Sequence, residues 1–269
     1  MMQYRCCLLG TLLGCLSTAG CAQLMPQRLT LPAEHTLVRD QLVVHSDFEL
    51  ASHHRLLEEM TARRSDIVLR LGLPLSDEPI HVYLFENADR FGTFVRLHHP
   101  ELPLRRAFFL ETDTRLQVYA QWGDRVAEDL RHEVTHGYLH SVVPSLPLWL
   151  DEGLAEYFEV PRGHRGLNRT QLENVLARAE RGVWLPDLAR LDALPPTRDL
   201  SRDDYAESWA WVHFLFESPL VSRELLRGYL GDLRQHGSTE PLSARVARAL
   251  PGCNQAVVGH VWQLAAAVQ

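Results

Sequence analysis

Two histidines and a glutamate on one predicted helix are the residues best suited to chemistry. His132, Glu133 and His136 form the pattern HExxH. Residues four apart on a helix share one face and lie about 6 Å apart along its axis, so both imidazoles can reach one metal ion. Glu133 lies on a neighbouring part of that face, where it can reach a metal-bound water without ligating the metal. The pattern predicts a hydrolytic metal site, but an ordinary polar helix face could carry it too.

A second predicted helix supplies the third ligand. Catalytic zinc takes three protein ligands and keeps one position open. Glu152 follows sixteen residues after His136, and a helix antiparallel to the first can bring it to the same ion. Gly153 beside it permits a close approach between helices. Glu156, one turn further along, is placed to accept the free N–H of a ligand histidine.

These two segments together resemble a known clan of zinc peptidases. The second segment reads WLDEGLAEYF from Trp149 to Phe158. With HEVTH it resembles the gluzincins, which include thermolysin-like peptidases and zinc aminopeptidases. It is especially similar to bacterial peptidase-like domains with the signature WLxEGLAEYF. The resemblance covers about residues 36–220 and implies a zincin-like fold, one zinc ion (Zn²⁺) per chain and hydrolysis of peptide bonds. The residues matching the clan's two histidine ligands, glutamate ligand and glutamate base are His132, His136, Glu152 and Glu133.

The same resemblance implies an oxyanion donor in a later helix. Tyr205 begins the segment YAESWAWVHFL, which is similar to a clan segment whose tyrosine points its hydroxyl at the oxyanion. Such a tyrosine could also simply pack the start of the helix. Glu207 and Ser208 stand where aminopeptidases usually carry Lys-Gly, and the Gly-x-Met-Glu-Asn motif is absent. An endopeptidase therefore fits better than an aminopeptidase. His213 is expected to be a core or rim histidine.

Two other metal-site hypotheses fail on spacing. His140 lies eight residues after His132, which is about 12 Å along a helix and too far to share the ion. It is expected to be a surface histidine at the helix end. A metzincin would need glycine at position 139 and histidine at 142, where this chain has Leu139 and Val142. A metzincin site is therefore excluded.

The elements that would position these side chains change in character near residue 140. Before it, strand and helix patterns alternate; after it, the patterns are almost all helical. We therefore predict an α+β fold in which residues 36–269 form one catalytic unit. An α/β lobe with a mixed sheet (36–140) precedes a helical lobe (141–269). The strand Leu116–Trp122 is expected to be the sheet edge to which a peptide substrate adds. The segment Leu37–Val44 is β-rich, and the predicted strands are Ile80–Phe85, Arg106–Leu110 and Arg115–Trp122.

Residues 1–20 are typical of a bacterial signal peptide. Arg5 precedes an apolar run that is too short to span a bilayer comfortably. The run ends in STAGC, which resembles a lipobox and implies lipidation of Cys21, although Thr18 stands where leucine is usual. An ordinary signal peptide would show much of the same pattern. Residues 21–35 would form a tether to a membrane-anchored lipoprotein of the cell envelope. Cys253 would then be the one remaining thiol, so no internal disulfide is expected.

Composition narrows the functional classes. The 269-residue chain is 46% apolar and 23% charged, with a net charge of −7, as expected for a globular protein. Its arginines are scattered, whereas a nucleic-acid groove needs a concentrated basic stripe. The leading hypothesis is a zinc metallopeptidase acting on a peptide or protein substrate. The alternative is a noncatalytic zinc-binding lipoprotein that serves as a binding or structural module. The intact Glu133 favours the enzyme.

Overall fold

A mixed five-stranded sheet is followed by a run of helices in the computed structural model, which describes residues 30–268. The order across the sheet is β1-β2-β3-β5-β4. The β1–β2 and β4–β5 pairs are antiparallel, whereas β2–β3 and β3–β5 are parallel. The predicted α+β class with a mixed sheet is therefore confirmed. The strands are β1 (His35–Arg39), β2 (Leu42–Ser46), β3 (Ile80–Phe85), β4 (Ala107–Thr112) and β5 (Arg115–Gln121).

Within the described residues, two helices lie between strands and the others follow the last strand. None of the helices within residues 30–268 has the length and apolar character needed to cross a membrane. The helices of the first part are α1 (Arg55–Leu71), α2 (Ala88–His98) and α3 (Val126–His140). Those after residue 140 are α4 (Leu148–Phe158), α5 (Arg169–Glu180), α6 (Leu188–Asp192), α7 (Arg202–Glu217), α8 (Arg223–His236), α9 (Leu242–Ala249) and α10 (Cys253–Val268).

The two faces of the sheet pack against different helices. Side chains alternate between faces along a strand, so Val82 and Leu84 of β3 join the main core with α1 and α3. Tyr83 and Phe85 point to the other face and pack with α2. Burying each such side chain stabilises the fold by roughly 1.5–3 kcal/mol. The main core continues into the helical part through residues such as Trp209, so sheet and helices share one apolar interior.

The segment Leu37–Val44, predicted to be β-rich, lies in two strands. The chain forms the hairpin β1–β2 with a turn at Asp40 and Gln41. Asp40 has φ 49°, a left-handed conformation that aspartate adopts more readily than most residues. Glycine, the usual signal for such a turn, is missing here.

The predicted sheet edge is wrong. Leu116–Trp122 corresponds to β5, which pairs with β3 on one side and β4 on the other. The short turn at Asp113 and Thr114 joins β4 and β5 in a hairpin. Because β5 occupies the inner position, β4 is the edge strand, and it lies next to α3. Any peptide that adds to this side of the sheet must therefore pair with β4.

Candidate metal centre

Two histidines of α3 and a glutamate of α4 bring three potential metal ligands together. His132 Nε2 lies 3.4 Å from Glu152 Oε2, and His136 Nε2 lies 3.7 Å from the same oxygen. One ligand atom from each residue lies within 4.8 Å of the other two. The helical spacing of the histidines aims both rings to one side of α3. The structure thus places the three predicted ligands around one point.

The spacing of these atoms fits a small metal ion. Zinc ligands lie about 2.0–2.2 Å from the ion, so the corners of a tetrahedron around it are roughly 3.4 Å apart. Glu152 Oε2 is buried and has no well-formed hydrogen-bond partner among residues 30–268. A buried oxygen without a hydrogen bond is costly, and a cation between the three side chains would satisfy it. His132, His136 and Glu152 could therefore hold a metal ion.

The outer nitrogen of His132 has a carboxylate partner that the sequence did not predict. His132 Nδ1 lies 2.9 Å from Glu159 Oε2. Asn168 Nδ2 donates to Glu159 Oε1 at 2.7 Å and to Glu156 Oε2 at 2.8 Å. Glu159, and not Glu156, thus makes the predicted hydrogen bond to a ligand histidine. Glu156 lies behind Glu159. Burial and the nearby Glu159 raise the pKa of Glu156 to about 7.

The outer nitrogen of His136 is also held by a carboxylate. His136 Nδ1 lies 2.9 Å from Asp151 Oδ1. Asp151 Oδ2 lies 3.0 Å from His140 Nε2, and His140 Nδ1 lies 2.6 Å from Glu111 Oε2 on β4. Because both ligand histidines use Nδ1 for a carboxylate, their Nε2 atoms remain for the metal. Within residues 30–268, the two other His/Asp/Glu groups close enough to hold an ion are built on these outer partners.

His140 is therefore more than a surface histidine at a helix end. Its side chain is mostly buried, and both of its ring nitrogens face carboxylates. Burial opposes the charged form, but Asp151 and Glu111 outweigh burial and raise the pKa of His140 to about 9. It does not join the predicted ligand set; it links the partner of His136 to the edge strand.

The site is charged in the absence of a metal. Burial opposes the imidazolium of His132, but Glu152 and Glu159 raise its pKa well above the usual value. The pKa of His136 is raised in the same way, by Asp151 against burial. His132 and His136 in turn hold the pKa of Glu152 low although burial opposes this. An incoming cation must displace protons, so metal affinity should fall as the pH falls.

Glu133 lies beside the three ligands without belonging to their group. It lines the same cleft as His132, His136 and Glu152. Burial raises the pKa of Glu133, while the two histidines oppose the rise. A carboxylate with an elevated pKa binds protons more strongly than an exposed one and suits the role of a base.

Tyr205 approaches the centre from the start of α7. The capping box of Ser201 and Asp204 fixes this helix start. Tyr205 Oη lies 3.4 Å from Glu152 Oε1, and its hydroxyl is the donor. Burial and Glu152 raise the pKa of Tyr205 to about 12, with Arg105 opposing the rise. The phenol therefore keeps its proton at neutral pH and can donate it in a hydrogen bond.

Gly153 was predicted to allow a close approach between helices at the metal, and the helix that it brings against α4 is α7. A Cβ atom at position 153 would lie 2.7 Å from the carbonyl oxygen of Ser208, closer than side chains approach. The two backbones therefore touch next to Glu152. This contact sets the separation between the ligand on α4 and the tyrosine on α7.

An open cleft of about 230 Å³ leads to the centre. Leu102, Pro103, Phe108 and Phe109 give it an apolar wall, and Arg105 contributes a cation. The ring of Phe109 on β4 stacks against His136, with centroids 5.9 Å apart. A substrate in this cleft would lie beside the edge strand and over the three ligands.

The remaining predicted residues lie elsewhere. His213 is buried in α7 and contacts His260 on α10, so it matches a core histidine. Cys253 is a free, partly buried thiol. Cys21 and the predicted signal peptide lie outside the described residues.

Sequence reasoning missed several residues of the centre. Glu159 stands seven residues after Glu152, close to two helical turns, so the same spacing argument could have found it. Asp151 directly precedes the ligand, but its direction depends on how α3 and α4 cross. Arg105 lies in a loop far from the motif in sequence, and no local pattern marks it.

No protein-family model matches the chain, and no curated protein has a detectably similar sequence. The function is therefore inferred from the residues of the site.

Proposed function

We propose that the protein is a zinc-dependent hydrolase of peptide bonds, of the gluzincin type and with a zincin-like fold. The observation that carries this proposal is the convergence of His132, His136 and Glu152 on one point, with Glu133 in the same cleft. Two imidazoles and one carboxylate are a ligand set of catalytic zinc, which leaves a fourth position open. The resemblance of HEVTH and WLDEGLAEYF to the gluzincins supports the same conclusion.

The chemistry divides among the side chains of the cleft. When bound, zinc would polarise the scissile carbonyl and lower the pKa of water. Glu133 accepts the proton of the attacking water and can return it to the leaving amine. Tyr205 donates a hydrogen bond to the oxygen on which negative charge develops. Glu159 and Asp151 hold the ligand histidines in a fixed orientation.

The substrate is a peptide or protein in extended conformation. Strand β4 has one unpaired edge within the described sheet, and its residues Phe108 and Phe109 line the cleft. An extended peptide can pair with such an edge through main-chain hydrogen bonds. The cleft is open, and the Gly-x-Met-Glu-Asn motif that holds a free amino terminus in aminopeptidases is absent from the sequence, in keeping with an endopeptidase.

Glu133→Gln tests the proposal. The zinc-loaded variant should bind one zinc ion per chain and melt near the wild type, because Glu133 is not a ligand. Its turnover of a diverse peptide library should be abolished, because no base remains. Metal analysis and mass spectrometry of the digest measure the two properties. If the wild type and the variant bind zinc but are equally inert, a noncatalytic zinc-binding envelope lipoprotein becomes the better description.

We further propose that Cys21 carries a lipid anchor, which would place the enzyme at a membrane of the bacterial envelope. The lipobox-like STAGC supports this location. Wild-type protein should fractionate with membranes and require detergent for extraction, whereas Cys21→Ser should not remain membrane-bound as a mature protein. Wild-type protein found in the soluble fraction would indicate an ordinary signal peptide instead.

A further inference from the structure

Two side chains of the edge strand β4 contact the helix that carries the proposed histidine ligands. The ring of Phe109 stacks on His136, with centroids 5.9 Å apart, and Glu111 Oε2 lies 2.6 Å from His140 Nδ1. Because Phe109 and Glu111 are two residues apart, both point to the same face of the sheet. The strand is therefore fixed to α3 at two points, one on a proposed ligand and one about a helical turn beyond it.

The contact between Glu111 and His140 belongs to a longer chain of contacts. The side chain of His140 is 17% exposed, and its other ring nitrogen, Nε2, lies 3.0 Å from Asp151 Oδ2. Asp151 Oδ1 in turn lies 2.9 Å from His136 Nδ1. Since His140 has a carboxylate at each nitrogen, its ring has one favoured orientation. An unbroken series of side chains thus joins Glu111 on the sheet edge to a proposed metal ligand.

The main-chain groups of Phe109 and Glu111 face the free edge of β4. Arg106 O accepts a hydrogen bond from Gln121 N at 3.0 Å, in the register of the antiparallel β4–β5 pair. Hydrogen-bonded and non-hydrogen-bonded pairs alternate along such a ladder, so every second residue after Arg106 directs its N–H and C=O to β5. Phe109 and Glu111 fall between these residues and direct theirs away from β5. A peptide that adds to β4 would pair there.

We propose that Glu111 and His140 are positioning residues, which hold the substrate-pairing edge of β4 at a fixed place along the metal centre. The two residues that would bond a peptide through their main chain are the same two whose side chains contact α3. Successive pairing positions lie about 6.8 Å apart along a strand. Phe109 therefore sets the substrate beside His136, and Glu111 sets it one step further along. This role rests on the proposed function, because it requires that a peptide substrate pairs with β4.

The contact should matter for substrates that are long enough to reach Glu111. A short peptide can occupy the metal centre and the pairing position at Phe109 without extending further. A longer peptide pairs at both positions. Without the contact to His140, the end of β4 is free to move, and a long peptide must order it on binding, which costs conformational entropy. A general loss of stability or of metal would instead affect both lengths alike.

The test compares the zinc-loaded wild type with Glu111→Thr, His140→Gln and the double variant. Threonine is too short to reach α3 but favours a strand. Glutamine can place its amide near the position of Nε2 and keep a donor to Asp151, while the contact with Glu111 is lost. Asp113→Asn is the matched control, because it removes an exposed carboxylate from the turn two residues after Glu111.

Two readouts use one nested set of peptides. All share a bond that the wild type cleaves, with about two or about five residues on each side of it, so that only the long ones span both pairing positions. The first readout is kcat and KM for each length. The second is the equilibrium binding of the same peptides in a Glu133→Gln background, which needs no turnover. Metal analysis gives the zinc content of each variant.

Glu111→Thr and His140→Gln should each raise KM for the long peptides roughly 3- to 30-fold and change KM for the short ones by less than about twofold. The value of kcat should change little, because the groups that act on the scissile bond stay in place. The double variant should resemble either single variant, because both substitutions remove the same contact. Zinc content should stay at one ion per chain, and Asp113→Asn should resemble the wild type.

Three outcomes would overturn this role: an unchanged KM for long peptides in Glu111→Thr, an equal rise in KM for both lengths, or additive effects of the two substitutions. In each case an active wild type leaves the proposed function intact. If the wild type cleaves no peptide but Glu111→Thr weakens the binding of long peptides alone, the proposed function fails and β4 remains a peptide-binding edge. A wild type that neither cleaves nor binds the peptides would remove both claims.

Discussion

Two buried histidine groups in this molecule have opposite electrostatic character. At the metal centre, His136 is 6% exposed, and at the α7–α10 contact, His213 is 2% exposed. The pKa of His136 is raised because Asp151 outweighs burial. The pKa of His213 is lowered to about 3 by burial and by the neighbouring His260. His136 and His213 are buried to a similar extent, so their opposite pKa shifts come from their different partners.

Carboxylates distinguish the candidate metal centre from the packed histidine pair. His132 and His136 each have a carboxylate at Nδ1 and a second one, Glu152, near Nε2. His213 Nδ1 instead lies 2.9 Å from His260 Nε2, an arrangement in which at least one ring must be neutral. Carboxylates therefore prepare α3 for a cation, whereas the α7–α10 pair excludes charge and serves packing.

The largest expected effect is a loss of bound zinc when a proposed ligand is replaced, with no such loss when His213 of the α7–α10 pair is replaced. His136→Ala and Glu152→Gln should each lose most of the bound zinc, because each removes one of three ligands. His213→Gln should keep one ion per chain. Metal analysis after dialysis against a weak chelator measures this. Full occupancy in Glu152→Gln, or zinc loss in His213→Gln, would break the distinction between the two groups.

A smaller effect is expected from the carboxylates that hold the ligand histidines. Asp151→Asn and Glu159→Gln should each weaken zinc affinity by roughly 10- to 100-fold. Glu156→Gln should weaken it less, because Glu156 reaches the centre through Asn168. Competition with a fluorescent zinc chelator gives the affinities. Equal losses in Glu156→Gln and Glu159→Gln would show that Glu156 has the direct role predicted from the sequence.

The smallest effect is a pH dependence of stability at the α7–α10 pair. Folded His213 has a pKa of about 3, whereas an unfolded histidine has about 6.5. Between these values the unfolded chain binds a proton that the folded chain does not. The free energy of unfolding should therefore decrease as the pH falls below about 6.5, by up to roughly 1.4 kcal/mol per pH unit. The charged or polar groups around His213 are His260, Glu217, Arg165 and Tyr157.

Chemical denaturation of the metal-free protein between pH 7 and pH 5 measures this slope. Carboxylates titrate in the same range, so the informative quantity is the difference from His213→Gln, which should show a shallower slope. The variant can be less stable at every pH without affecting this comparison. Identical slopes would mean that His213 takes up a proton in the folded state.

Most of the candidate site could be predicted because it depends on local geometry. His132, Glu133 and His136 share one helix, so helical spacing alone brings them near one another. Glu152 was predicted from the antiparallel packing expected of the next helix. The choice between Glu156 and Glu159 was harder, because Glu159 is the residue at which α4 ends. The loop that follows a helix determines the direction of a side chain at the helix end. Here Asn168, which follows that loop, donates a hydrogen bond to Glu159.

Long-range pairing explains the other differences. The strand β4 lies at the edge because β5, and not β4, pairs with β3. The local sequence of the β4–β5 hairpin does not determine which of its two strands makes that pairing. Arg105 and Glu152 line the same cleft although they are far apart in sequence, on a loop and a helix that only the complete fold brings together. The hairpin at Asp40 was missed for a local reason, since its turn lacks glycine.

Gly153 has a consequence for how this protein could diverge. Under the proposed function, a substitution at Glu133 would remove turnover in one step and leave the fold and the metal ligands in place. Position 153 allows no such step, because even alanine would bring Cβ within 2.7 Å of Ser208 O and force α4 away from α7. We therefore expect Gly153 to outlast Glu133 in descendants that lack the proposed activity. Among distant relatives, Gly153 would then mark common ancestry, and Glu133 would mark those that keep the proposed activity.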